Sequence, residues 1–268
     1  MLNYGKKNLL GVKIDAVDYE YTLSRVLRAA QSKSRCTTTA LAVHGVMTGV
    51  FEESHRYRLN ALDLVVPDGM PVRWGLNWLY GCKLPDRVYG PTLMLKICEA
   101  ASEQGLPIYL YGSDTETLEP LIQSLATRFP TLKIAGSEPS AFRQLSDSEA
   151  RSVVNRIHRS GAKILFVGLG CPRQEVWAYE MGDELSMPVV AVGAAFAFHA
   201  GRIAQAPSWM QQRGLEWLFR LVMEPKRLWR RYALLNPSYL LLLVMQRLGL
   251  RKFDSDQLSK PTHRMQYG

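Results

Sequence analysis

The feature that most constrains this chain is an alternation repeated over its first 200 residues. Short apolar runs, at 37–43, 62–66, 107–111, 132–135, 163–167 and 188–192, are bounded mostly by Gly, Pro or Asp. Continuous apolar runs of this length mark strands covered on both faces. Helical patterns lie between them. One spans 92–104 and ends at Gly105, a C-cap residue. A second spans 115–129 and stops before Pro130; a third spans 146–160 and opens on Ser146-Asp147-Ser148-Glu149, a capping box. Strand and helix in turn predict an α/β fold, a mainly parallel sheet flanked by helices.

Ligands of such sheets sit outside the carboxyl ends of the strands. Four loops fall there: Pro67-Asp68-Gly69, Gly112-Ser113-Asp114, 168–175 and 193–196. Each is small or glycine-containing, so backbone can come close to a phosphate.

The pattern changes after residue 200. The formal net charge is +9, and the stretch from Gly201 onward holds 12 Lys or Arg against 4 Asp or Glu, which leaves residues 1–200 nearly neutral. A basic end on a neutral domain points to an anionic partner: phosphate, nucleic acid or anionic lipid. Residues 207–232 read as helical, broken at Pro225, with Arg213, Arg220 and Arg227 spaced by seven and accompanied by Trp209, Trp217 and Trp229. A second short apolar helix is expected over 239–250, after Asn236-Pro237. The organisation predicted is a core at 1–200, a basic helical appendage at 201–252 and a disordered tail at 253–268. The longest apolar stretch, 239–245, is far short of the ~18 residues a spanning helix needs. The N-terminus has too little apolar sequence for a signal peptide. Cys36, Cys82, Cys98 and Cys171 form no CxxC pair and read as free thiols in a reducing compartment. The expectation is a cytoplasmic protein that associates peripherally with the inner face of the plasma membrane.

Three groups of residues, in order and at matching spacing, resemble the WecG/TagA/CpsF family of glycosyltransferases, over roughly residues 11–236. The first is Val66-Pro67-Asp68-Gly69-Met70-Pro71-Val72 with Arg87-Val88-Tyr89-Gly90-Pro91-Thr92-Leu93-Met94. The second is Gly168-Leu169-Gly170-Cys171-Pro172-Arg173-Gln174-Glu175-Val176-Trp177, similar to the family's Gly-x-Pro-x-Gln-Glu. The third is Val192-Gly193-Ala194-Ala195-Phe196, then Ala206-Pro207-Ser208-Trp209-Met210, Gly214-Leu215-Glu216-Trp217-Leu218-Phe219-Arg220 and Glu224-Pro225-Lys226-Arg227-Leu228. The resemblance implies a Rossmann-like core with a C-terminal appendage. It implies transfer from a UDP-sugar, often UDP-N-acetylmannosamine, to an undecaprenyl-diphosphate-linked sugar, with inversion at the anomeric carbon and without a metal.

Glycosyl transfer needs a group that takes the proton of the acceptor hydroxyl. Asp68, on a loop at a strand's carboxyl end, is the candidate base, and the resemblance assigns it that role; Pro-Asp-Gly is also a turn signal in its own right. Thr39 resembles the family's Thr-x-Asn position and is a second catalytic candidate, though a strand threonine is equally a β-former. The asparagine of that pattern is Leu41 here. His44 and Arg87 are candidates for the acceptor pocket; His44 also reads as a core or surface histidine. Gly112, Ser113, Gly170, Gln174, Glu175, Gly193 and Phe196 are candidates for UDP-sugar binding. Where the family continues Phe-Asp after that loop, this chain has Ala197. The departures at Leu41 and Ala197 keep a plain hexose open as donor beside N-acetylmannosamine.

The arginines of the appendage suit two tasks. Arg220 and Arg227 are placed against the leaving diphosphate, where fixed positive charge replaces a metal. Lys226, Arg230, Arg231, Arg251 and Lys252, with Trp and Tyr neighbours, suit an anionic membrane surface. No cofactor is expected, and the only Asp-x-Asp, Asp254-Ser255-Asp256, lies in the polar tail. The partners implied are a UDP-sugar, a polyprenyl-diphosphate-linked glycan and an anionic membrane, with a homo-oligomer left open. Two other classes fit parts of the sequence. An NAD-dependent oxidoreductase needs a third glycine where Arg173 stands. A non-catalytic nucleic-acid binder would account for the basic end, but Trp and Leu alternate with its charges and no helix-turn-helix or zinc pattern accompanies them, so a membrane is favoured over nucleic acid.

Overall fold

The computed structural model describes all residues except 266. The chain opens with a hairpin, β1 (Asn3–Leu9) and β2 (Val12–Val17), turned through Leu10 and Gly11, both at positive φ. Then follow α1 (Tyr19–Ser32), β3 (Cys36–Leu41), α2 (Val43–Phe51), α3 (Glu53–Ala61), β4 (Leu64–Pro67), α4 (Met70–Tyr80), α5 (Gly90–Glu103), β5 (Ile108–Gly112), α6 (Thr115–Arg128), β6 (Ile134–Glu138) and α7 (Asp147–Arg159). β7 (Ile164–Gly168), α8 (Arg173–Leu185), β8 (Pro188–Ala191) and α9 (Ala195–His199) complete the core, and α10 (Ser208–Gln212), α11 (Glu216–Met223) and α12 (Pro225–Arg247) follow it.

All six expected runs are strands, and they form one sheet, ordered β4-β3-β8-β7-β5-β6, with every pairing parallel. Successive residues enter opposite cores, as a period of two demands. Tyr109, Tyr111, Leu165, Val167 and Val189 face one apolar cluster; Ile108, Leu110, Ile164, Phe166 and Val190 face the other. Helices α1, α5, α6 and α9 cover the second face, and α2, α4, α7, α8 and the end of α12 cover the first. The three expected helices are α5, α6 and α7, and the capping box of α7 has both of its hydrogen bonds. The β1–β2 hairpin is fixed to β4, whose Val65 N–H donates to the buried Asp15 carboxylate at 2.8 Å. All four cysteines are free.

The break expected at Pro225 is present: α11 ends at Met223 and Pro225 starts α12, because the first helical position needs no intrahelical donor. Pro237 lies inside α12, so the break expected there is absent. Burial on the far side of Pro237 opposes the cost of the proline. Tyr239, Leu242 and Leu243 enter the same cluster as α4, and Tyr239 Oη donates to Pro71 O at 3.0 Å. Gly75 of α4 makes that approach feasible: a Cβ there would stand 2.7 Å from Tyr239 Oη. Gln246 ties the end of α12 to the hairpin, accepting from Leu10 N at 3.0 Å and donating to Asn8 O at 2.8 Å. No helix among the described residues is long and apolar enough to cross a membrane.

The stretch 253–268, expected to be a disordered tail, has contacts with the core. Phe253 O accepts from Asn8 Nδ2, His263 O accepts from the buried Arg58, and Arg264 pairs with Glu180 and Glu184.

Replacing Tyr239 by Ala removes a fully buried ring between α4 and α12. The expected loss is about 3 kcal/mol of unfolding free energy, the lower end for deleting a buried aromatic side chain, read from urea denaturation.

Candidate active site

Five strands deliver their carboxyl ends to one cleft. Its walls include Leu41 and Ala42 after β3, Asp68 after β4, Ser113 after β5, Gly168 to Cys171 after β7 and Gly193 after β8. The ends are level because the parallel register pairs Leu41 with Pro67 and Gly112 with Gly168. Gly112, at φ 112°, is needed for this: a Cβ there would lie 2.8 Å from the Gly168 carbonyl carbon. Ser113 N–H then donates to Gly168 O at 3.1 Å, which sets the serine at the cleft.

Asp68 sits deep in the cleft. Its N–H donates to Leu41 O at 3.1 Å, and its Oδ1 accepts from Gly90 N at 2.7 Å. Burial pushes its carboxyl up to about 6, against the opposing pull of the Arg87 guanidinium and the Gly90 amide. A carboxylate poised there is ionised at neutral pH yet basic enough to accept a proton.

Arg87 is buried and joins the core to the appendage. It donates to Glu216 Oε2 at 2.6 Å, while Tyr89 Oη donates to Glu216 Oε1 at 2.9 Å. The guanidinium also lies over the Tyr89 ring, 4.1 Å from its centroid. Glu216 is thereby held by two core residues at the first turn of α11.

The other side chains singled out in the sequence divide into two sets. His44, Gly170, Gln174, Glu175, Gly193, Phe196, Arg220 and Arg227 line the cleft, along with Asp68 and Ser113. Arg87 lines its adjoining end. Thr39 and Gly112 stand behind the surface. Thr39 is fully buried, and its hydroxyl donates to Glu175 Oε1 at 2.9 Å. The same oxygen accepts from Gln174 Nε2 at 2.8 Å, and Gln174 Oε1 accepts from Gly193 N at 2.9 Å. One chain of hydrogen bonds therefore links β3, α8 and the loop after β8. Burial raises the Glu175 carboxyl, opposed by the Gln174 and Thr39 hydrogen bonds, and Glu175 Oε2 has no partner. Burial and nearby Arg231 push His44 down to about 4, so its ring is neutral at pH 7.

The positive wall differs from the one expected. Arg227 is exposed at the cleft's edge and paired with Glu224. Arg231, assigned from sequence to a membrane-facing group, faces the cleft instead, where burial lowers its affinity for a proton and Arg220 and Arg227 add to the effect. Nε of both Arg220 and Arg231 lacks a partner. Two guanidiniums with unused donors make an anion site. The signal was present: on a helix, Arg227 and Arg231 are four apart and share a face. Glu216 was also passed over, although it is one of the few acidic residues in a basic stretch. Leu41 and Ala197, the two departures from the family pattern, both line the cleft.

For metal ligation, the described residues bring together His55, Cys171 and Glu175, whose ligand-capable atoms all lie within 4.8 Å of one another. Cys171 and Glu175 line the cleft, and His55 stands behind them. Both ring nitrogens of His55 lack a partner.

A family model described as "Glycosyl transferase WecG/TagA/CpsF family" matches residues 7–253. The chain is 26% identical over 196 residues to the N-acetylglucosaminyldiphosphoundecaprenol N-acetyl-beta-D-mannosaminyltransferase of Bacillus subtilis (strain 168), covering 73% of each chain.

Glu216→Ala should leave the buried Arg87 without its ion-pair partner. The expected cost is about 3 kcal/mol of stability. Limited proteolysis should also show earlier cleavage in 201–224, since the tie between core and appendage is gone.

Proposed function

As the chain belongs to the WecG/TagA/CpsF family of glycosyl transferases, we propose that it moves a hexose or an N-acetylhexosamine from a UDP-sugar to a sugar carried on a polyprenyl diphosphate. The observation that carries the reading is the Asp68 carboxylate, raised to about 6 and set beside a wall containing Arg220 and Arg231. Base and anion site are the two things that transfer from a sugar diphosphate needs. The acceptor class comes from the Bacillus relative, whose name describes a lipid-linked N-acetylglucosamine acceptor and N-acetylmannosaminyl transfer.

Asp68 takes the proton from the acceptor hydroxyl as its oxygen attacks the anomeric carbon. The carbon–oxygen bond to the donor's β-phosphate breaks, and UDP leaves with the bonding electron pair. A single displacement of this kind inverts the anomeric centre. The negative charge that grows on the diphosphate is met by Arg220, with Arg227 at the rim. This fixed charge supports a reaction without a metal. The loops around Gly112–Ser113, Gly170 and Gly193 hold the nucleotide, with Gln174 and Glu175 fixed by their mutual hydrogen bond. Thr39 acts through Glu175, as a positioning residue. His44, neutral, and Arg87 border the acceptor side. With Leu41 and Ala197 in the wall, two polar contacts of the family pattern are absent, which keeps a plain hexose open as donor beside N-acetylmannosamine. Work on a lipid-linked acceptor takes place at the inner face of the plasma membrane, to which the exposed Trp209 and Trp229 and the basic residues of α12 attach the protein.

UDP release with a panel of UDP-sugars and a polyprenyl-diphosphate-sugar acceptor tests this. Release should depend on acceptor and persist in EDTA. Its rate should rise with pH through about 6 and level off above, since Asp68 works as the carboxylate. Asp68→Ala should lower kcat by roughly 10²–10⁴-fold, the range for loss of a general base. A folded protein that releases no UDP from any donor would overturn the proposal.

A further inference from the structure

A second opening adjoins the cleft, between α4 and the appendage. Trp74 of α4, Leu221 of α11 and Trp229, Ala233 and Leu240 of α12 line it, and it encloses about 570 Å³. Those five side chains offer a single polar atom type, the indole N–H. Trp74 and Trp229 remain 45% and 52% exposed, so the groove presents apolar surface to its surroundings. Such a patch marks a site where something apolar is bound.

The groove has a polar outlet. Val43, Pro71, Trp217, Tyr232 and Asn236 border both the groove and a narrow neck of about 120 Å³ that reaches Asp68. His44, Arg220 and Arg231 stand in that neck. The molecule that fits is therefore apolar and elongated at one end and anionic at the other, with the reacting group beyond the anion.

We propose that this groove binds the polyprenyl chain of the acceptor next to its diphosphate, so that the first isoprene units lie against the protein rather than in the bilayer. The inference rests on the transfer reaction proposed above. The tail enters between α4 and α12, the diphosphate passes Arg231 in the neck, and the terminal sugar arrives at Asp68. Helix α4, a core element, thus takes part in lipid recognition together with the appendage. The groove's place at one end of the neck also separates the two substrates: the nucleotide approaches from the loops after β5, β7 and β8, and the lipid from the opposite side.

Ala233 is exposed on α12 and faces the groove, so a larger side chain there fills the groove without entering the core. Leu241, also exposed, does not line it and serves as the control for general lipid adhesion. The full chain in detergent micelles is titrated with polyprenyl diphosphate while tryptophan emission is followed. Wild type and Leu241→Ala should give a saturable change, and Ala233→Phe should shift the midpoint up by about tenfold, the factor expected when contact with about two methylene groups is lost. In transfer assays, Ala233→Phe should raise KM for the polyprenyl acceptor by a similar factor. KM for a water-soluble analogue with a short alkyl chain, and affinity for the UDP-sugar, should be unchanged. Equal behaviour of Ala233→Phe and Leu241→Ala in the titration would overturn the groove as the tail site. Because that titration involves no transfer, failure of the transfer reaction itself would be seen separately, as absence of UDP release by wild type.

Discussion

The parallel direction of all six strands is the constraint from which the site follows. Parallel pairing brings every carboxyl end to one edge of the sheet, and level register brings Leu41 beside Pro67 and Gly112 beside Gly168. Asp68 is one residue beyond the first of these pairs and Ser113 one beyond the second. A shift of register at either place would carry a loop away from the cleft. Covering the sheet on both faces requires helices before and after each strand, and those helices begin or end at the same edge. The cleft, the place of Asp68 and the loops around it are consequences of one arrangement of backbone hydrogen bonds.

The appendage completes what the sheet leaves open. The core contributes a carboxylate but few free cations at this edge, since Arg87 is committed to Glu216. Arg220, Arg227 and Arg231 come from α11 and α12, beyond the sheet. They face the cleft because Glu216 is held by Arg87 and Tyr89 at one end and Tyr239 is packed under α4 at the other. The ion pair therefore has a consequence beyond its own energy: it sets the position of charges that lie four and more residues further along the chain. Burial of Asp68 between these parts is what raises its carboxyl, so pKa and docking are linked.

The appendage also changes what the outer surface is for. Its tryptophans do not all pack inward: Trp209, Trp217 and Trp229 stay partly exposed, as do Trp74 and Trp78 of the core, and Trp74, Trp217 and Trp229 line one groove.

Much of this was legible in the sequence. Continuous apolar runs identified all six strands of the sheet, because a strand covered on both faces has no polar face to obscure it. Capping residues found α5, α6 and α7, since caps are local. The hairpin before α1 was not seen: Asn3–Leu9 is largely exposed and polar along most of its length, and its role depends on contacts with β4 and α12. Local cost argues for a break at Pro237, whereas burial of Tyr239, Leu242 and Leu243 is a tertiary gain that no local rule contains. By itself, then, the sequence determined the elements, the parallel class and the motif loops, Asp68 among them, because those depend on short-range pattern. Tertiary structure alone decided that Arg231 faces the cleft, that Thr39 serves Glu175 and that Glu216 joins core to appendage, because each depends on residues far apart in the chain meeting across the fold.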